Sequence, residues 1–223
     1  MQKQISKKII FYLFILILLV TLNNKNLLKL SFKENYNLNI ISLSDFDDEE
    51  IVKDLFTYKH QNLFLLKKDY ILETLDKHKI IEDINIFKNY PSKLNIKIKK
   101  TNFLAITQKN GTNFYIGSNG NLIKIENDKY DQPFIFGNVE VLEFLKLKSL
   151  IDNSNFDYLD IKNFYYFKSK RWDIETKDGL LIKLPLKNLS KSLEILSTVI
   201  NTNNLEKFDY IDLRQNNQII LNG

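Results

Sequence analysis

Apolar residues occupy positions 9–22 with no charge among them, Ile-Ile-Phe-Tyr-Leu-Phe-Ile-Leu-Ile-Leu-Leu-Val-Thr-Leu, between Lys7-Lys8 and Asn23-Asn24-Lys25. Beyond that run the pattern alternates more finely. Residues 37–43 alternate weakly and contain Ile40-Ile41, which predicts a short strand. The acidic run Asp45, Asp47, Asp48, Glu49 and Glu50 suits the first turn of a helix capped by Ser44 or Asp45, where the helix dipole favours negative charge. Ile51, Val52, Leu55 and Phe56 form the apolar face of that helix, and Ile71, Leu72 and Leu75 form the stripe of a second over 68–78. Two stretches of period two follow, first Ile84 and Ile86, then Leu94, Ile96 and Ile98. Tyr90-Pro91-Ser92 separates them, with the proline where it sets a turn without removing a ladder donor. The order over residues 37–99 is therefore β-α-α-β-β.

After Asn102 the chain changes to short strands punctuated by Asn110-Gly111, Asn119-Gly120 and Asp178-Gly179, dipeptides suited to tight hairpin turns. Helical stretches at 139–151 and 189–201 interrupt them, the second with Leu193, Leu196, Val199 and Ile200 on one side. No repeat or low-complexity linker is present. The fold class is α+β: a membrane helix within residues 1–28, a β-α-α-β-β domain over 29–101 and a β-rich domain with two helices over 102–223.

The run at 9–22 is an insertion signal shorter than the roughly 20 residues that a spanning helix prefers. A cleaved signal peptide would need small residues after it, and Thr21-Leu22-Asn23-Asn24-Lys25 offers none; a core helix would want a polar face. A retained anchor fits best, with Lys7, Lys8 and Lys25 reaching to the interfaces. The flanking lysines nearly balance, so the short N-terminal segment and the adjacent Lys7-Lys8 pair decide for a cytoplasmic N-terminus and a bulk outside the cytoplasm.

The 223 residues are 44% hydrophobic and 26% charged, a folded composition. Net charge is +5, but lysines are scattered singly and Arg171 and Arg214 are the only arginines, so no nucleic-acid stripe is expected. Cysteine is absent, which excludes disulfides and thiolate metal sites. His60 and His78 lie too far apart for a metal-ligand spacing, and the acidic run lacks the ligand spacing and glycine of an EF-hand. No phosphate-binding glycine loop, Gly-x-Ser-x-Gly elbow or His-Glu-x-x-His occurs, so no enzyme activity, cofactor, metal or small-molecule substrate is expected.

A single anchor followed by a β-α-α-β-β module ending Tyr90-Pro91-Ser92-Lys93-Leu94-Asn95-Ile96-Lys97-Ile98 resembles the POTRA domain of the FtsQ/DivIB bacterial division proteins. Ala105 and the Asn-Gly turn within 116–123 also match that family. Further on, Arg171-Trp172-Asp173-Ile174, Asp178-Gly179-Leu180 and Leu184-Pro185 are similar to its Arg-Trp, Gly and Leu-Pro markers in order, and Tyr210-Ile211-Asp212-Leu213-Arg214 to its Val-Asp-Leu-Arg. Both arginines fall in these motifs, where a planar fork is required, and they are read as ordering strands rather than binding a ligand. Ser44 departs from a common glycine and Gln215 from a common tyrosine, and Gly223 stands where many members continue into a tail.

The resemblance implies a non-enzymatic scaffold of the divisome, held in the cytoplasmic (inner) membrane at the septum and recruiting FtsB and FtsL beside the septal peptidoglycan synthase complex. The device expected is β-augmentation on the last strand, with Gln215, Asn217, Gln218, Ile219, Ile220 and Leu221 as partner-binding residues. Ile219 and Leu221 would face the partner and Ile220 the core. Tyr90, Pro91, Arg171, Trp172, Asp212 and Arg214 are the structural motif residues. An alternative is an accessory of outer-membrane protein assembly or transport, since POTRA modules also chaperone extended chains.

Overall fold

The computed structural model describes residues 7–23, 37–42, 48–59, 61–125, 132–202, 208–215 and 218–222. Ser44, Asp45, His60 and Asn217 lie outside them. The described chain is α+β and divides into two compact units, one of Met1–Ile41, Asp48–Thr74 and Asn85–Ile96, the other of Ser42–Asp47, Leu75–Ile84 and Lys97–Gly223.

Helix α1 (Lys7–Asn23) carries the apolar run, and its large side chains from Ile9 to Val20 are 38% to 66% exposed. The expectation of a spanning helix meets a shorter element. Its 17 residues make about 25 Å at 1.5 Å per residue, against a hydrocarbon core of about 30 Å. Among the described residues no helix is long and apolar enough to cross a membrane.

Strand β1 (Asn37–Ser42), helices α2 (Glu49–Phe56) and α3 (Lys68–Asp76), and strands β2 (Ile81–Asn89) and β3 (Lys93–Lys100) follow, and the strands form a sheet in the order β1-β3-β2. Asp48 caps α2, accepting from the backbone N–H of Glu50 at 3.0 Å and of Ile51 at 3.3 Å, where Ser44 or Asp45 was expected. Asp48 stands three residues before Ile51, the first position that is buried, and that register selects it. Ile51, Leu55, Ile71, Leu75, Leu94, Ile96 and Ile98 are at most 1% exposed, whereas Phe56 at 48% and Leu72 at 40% stand outside the faces expected for them. Each lies one residue beyond a buried position, about 100° further round the helix. The Tyr58 hydroxyl ties α2 to α3 through the Tyr70 carbonyl, 2.8 Å away, and the Thr74 hydroxyl.

The larger unit holds a mixed sheet of β4 (Phe103–Lys109), β5 (Thr112–Gly117), β6 (Leu122–Lys124), β7 (Phe134–Phe136), β8 (Ile161–Tyr166), β9 (Trp172–Thr176), β10 (Leu181–Lys183), β11 (Tyr210–Asp212) and β12 (Ile220–Asn222). Among the described residues its order is β12-β11-β10-β9-β8-β7-β4-β5-β6. All three hairpin dipeptides sit between strands, and at Asn110-Gly111 both φ angles are positive, +50° and +78°, as the tight turn joining β4 to β5 demands. The pairs β4/β7, β7/β8 and β10/β11 are parallel. A parallel pair needs a long crossover: α4 (Val141–Asp152) lies in the one from β7 to β8 and α5 (Leu189–Thr202) in the one from β10 to β11, while β5 and β6 lie between β4 and β7.

Both helices cover one face of the sheet. Register places Ile135, Phe164, Ile174, Ile182 and Ile211 in one row across it. Phe144, Leu147 and Ile151 of α4 and Leu193, Leu196 and Val199 of α5 join them in one core. Phe164 meets Phe144 and Trp172 edge-on, with ring centres 5.6 and 6.0 Å apart. The base of the β2/β3 hairpin also belongs to this unit. Asn119 donates to the Lys79 and Ile81 carbonyls at 3.0 and 2.8 Å, Ser118 donates to Glu82 at 2.7 Å, and the Thr101 N–H donates to the Ile80 carbonyl at 2.9 Å.

Candidate functional site

Strand β12 pairs antiparallel with β11, Tyr210 opposite Asn222, Ile211 opposite Leu221 and Asp212 opposite Ile220. Among the described residues it is an outer strand of its sheet, with β11 as its only strand neighbour. Ile219, Ile220 and Leu221 are 40%, 41% and 36% exposed. Such an edge offers a row of backbone donors and acceptors to another chain.

The facing differs from expectation. Leu221 shares a row with Ile211, so it lies on the side covered by the helices, and Ile220 shares one with Asp212 on the opposite, open side. Ile219 precedes the strand. Alternation holds between Ile220 and Leu221, but alternation alone does not say which face the helices cover, and the register on β11 decides it.

On the open side, register aligns Tyr165, Asp173, Lys183, Asp212 and Ile220 across β8 to β12. Arg171 and Arg214 brace the two aspartates of that row. Arg171 Nε lies 3.2 Å from Asp173, and its guanidinium lies 4.3 Å from the centre of the Phe167 ring. Arg214 reaches Asp212 with Nε at 2.8 and 3.0 Å and with a second nitrogen, while its backbone N–H donates to the same carboxylate. Hydrogen bonds from Arg214 hold the Asp212 carboxyl below its usual range, whereas burial pushes Asp173 up against the opposing pull of Arg171. The Lys183 ammonium lies 3.9 Å from the Tyr210 ring centre. One row away, Glu175 accepts from Tyr165 at 2.5 Å and Asn163 at 3.0 Å.

On the other side of the edge, Gln215, Gln218 and Ile219 line a groove of about 650 Å³ with Pro185, Lys191, Ile195 and Leu213. The structure thus gathers Gln215, Gln218, Ile219, Ile220, Leu221, Asp212 and Arg214 at one end of the larger unit. Trp172 is core at 4% exposure, next to Arg171. Tyr90 and Pro91 are elsewhere, in the turn between β2 and β3, joined by a cis peptide bond. Lys183 was missed because its partners are fixed by pairings between strands, which no local spacing announces. Among the described residues no group of three His, Asp or Glu is placed to hold a metal ion.

The FtsQ-type POTRA domain matches residues 37–100, and the C-terminal domain of the cell division proteins FtsQ/DivIB matches residues 105–214. The chain belongs to the FtsQ/DivIB family. The FtsQ of Rickettsia prowazekii is 29% identical over 85% of this chain and 72% of its own length, and that of Rickettsia conorii 28% over the same shares. A Clostridium botulinum DivIB is 26% identical over 84% of this chain and 71% of its own length. Cell division is therefore the setting of the FtsQ/DivIB fold here, and outer-membrane assembly is not favoured. The FtsQ/DivIB match ends at Arg214, so the partner-binding candidates from Gln215 onward lie just past it.

Proposed function

We propose that this chain is a non-enzymatic scaffold of the division complex, which takes an extended segment of FtsB, with FtsL, as an added strand on the free side of β12. The observation that carries this reading is the place of β12, an outer strand among the described residues that bears the exposed apolar side chains of Ile220 and Leu221, with exposed Ile219 just before it. Backbone bonds supply affinity in that mode; Ile220 on the open face and the groove beside Ile219 supply choice of partner.

Anchoring in the inner membrane falls to α1, with the folded units outside the cytoplasm and enriched at the septum. The helix is short for the bilayer, and Lys7 and Lys8 at its start offset the mismatch by extending their ammonium groups to the interface.

The test is binding of the full chain in detergent to the extracytoplasmic segments of FtsB and FtsL from the same organism, beside a Leu221→Pro variant. Proline removes a donor in the middle of β12. Loss of binding with an unchanged circular dichroism spectrum supports the edge; absence of binding by the unaltered chain counts against the scaffold itself.

A further inference from the structure

The turn at 62–66 gives four neighbouring apolar residues opposite fates. Leu63 and Leu66 are each 3% exposed, whereas Phe64 and Leu65 between them are 62% and 79% exposed. The display is built. Asn62 accepts the Phe64 N–H on its side chain at 2.9 Å, and its carbonyl accepts the N–H groups of Leu65 and Leu66 at 3.1 and 2.9 Å. Beneath the turn the Lys88 ammonium bonds the carbonyls of Leu63 and Leu66. Phe64 then stacks on Tyr90, itself 55% exposed, with ring centres 4.6 Å apart. Single exposed apolar side chains are ordinary, but a contiguous apolar tip held out by a braced turn marks a surface meant for contact.

Charge around the tip decides its occupant. Lys59, Lys67, Lys68 and Lys93 are exposed about it and Asp69 is the one acid in the same stretches, residues 59–70 and 86–93. Aromatic and leucine side chains ringed by lysines fit the boundary between anionic headgroups and acyl chains, where rings and leucine enter and ammonium groups stay among the phosphates. The tip belongs to the same compact unit as α1. Residues 24–36, between α1 and β1, span at most about 45 Å when fully extended, which keeps β1 near any membrane holding α1.

We propose that Phe64, Leu65 and Tyr90, with Lys59, Lys67, Lys68 and Lys93, form a second membrane contact that docks on an anionic lipid surface. This rests on the reading of α1 as the anchor. The chain has no cysteine, so Leu65→Cys gives one labelling site at a position whose side chain supports no core. The full chain carrying an environment-sensitive fluorophore there is reconstituted into vesicles of neutral or part-anionic lipid containing acyl-chain quencher, with Lys168→Cys as the comparison site.

The label at 65 is quenched in anionic vesicles and the label at 168 is not, and Lys67→Gln with Lys68→Gln lowers the docked-to-free ratio about five-fold per lysine. An unquenched label at 65 on chain that resists alkaline extraction overturns the docking and leaves the anchor standing. Chain stripped by alkaline extraction overturns the anchor. Equal quenching at 65 and 168 overturns the docking as a property of this tip.

Discussion

Replacing Gly137 by alanine tests how tightly β7 is fitted against β8. Gly137 follows β7 with φ at +107°, and a Cβ built there would stand 2.1 Å from the Tyr166 carbonyl oxygen. Two costs add. Holding an L residue in that region costs about 1–3 kcal/mol. The overlap is with backbone at the end of β8, beside the contact of the Tyr166 and Trp172 rings, whose centres lie 4.6 Å apart. Relief requires the strand to move, and overpacking of that kind costs about 1–3 kcal/mol. The sum, about 2–6 kcal/mol, is a large share of the roughly 5–15 kcal/mol that holds a domain folded. Gly111→Ala is the control: its φ is +78° but a Cβ there meets nothing within 4 Å, so only the conformational cost applies. Urea unfolding followed by the fluorescence of Trp172, the one tryptophan and a buried one, reads both variants. With a slope near 2 kcal/mol per molar, Gly137→Ala lowers the midpoint by about 1–3 M and Gly111→Ala by about 0.5–1.5 M at most. A Gly137→Ala midpoint no lower than that of Gly111→Ala would refute the reasoning.

Asn119→Ala removes donors to Lys79 and Ile81 and the acceptor of the Asn121 N–H, for about 1–3 kcal/mol in all, read as faster amide exchange at residues 79–84. Tyr158 donates to the Leu104 carbonyl at 2.6 Å, and burial, then Asp152, raises its pKa. That contribution is whole below the usual tyrosine value near 10 and fades as pH rises beyond it, so Tyr158→Phe costs about 1 kcal/mol at neutral pH and flattens the alkaline side of the stability profile. Asp212 has the opposite sign. Its folded pKa is lowered from 3.8, so its contribution is present above that value and lost as pH falls through the folded one; Arg214→Gln weakens this acid dependence in a pH series of urea midpoints, leaving the part held by the residue-214 backbone N–H and Lys183.

Much of the architecture was legible because its signals are local. Asn110-Gly111 forces positive φ whatever surrounds it, and the alternation of Leu94, Ile96 and Ile98 fixes the buried face of β3 by itself. Where several residues of one chemistry compete, local reading fails. Ser44, Asp45, Asp47 and Asp48 are all acceptors able to cap a helix, and burial of Ile51 and Leu55 chooses among them. Parallel pairing of β10 with β11 was equally hidden, since α5 lies between them in the chain. The row joining Asp173, Lys183 and Asp212 needs that pairing, and the facing of Ile220 and Leu221 is set by the register of β12 on β11.

Among the described residues β12 comes after every other strand of its sheet in chain order. Before β12 has been synthesised the row stops at β11, which pairs parallel with β10. The antiparallel margin with Ile220 and Leu221 exists only once synthesis has passed Asn222. A partner that reads this margin would pass over chains whose synthesis has not yet reached Asn222.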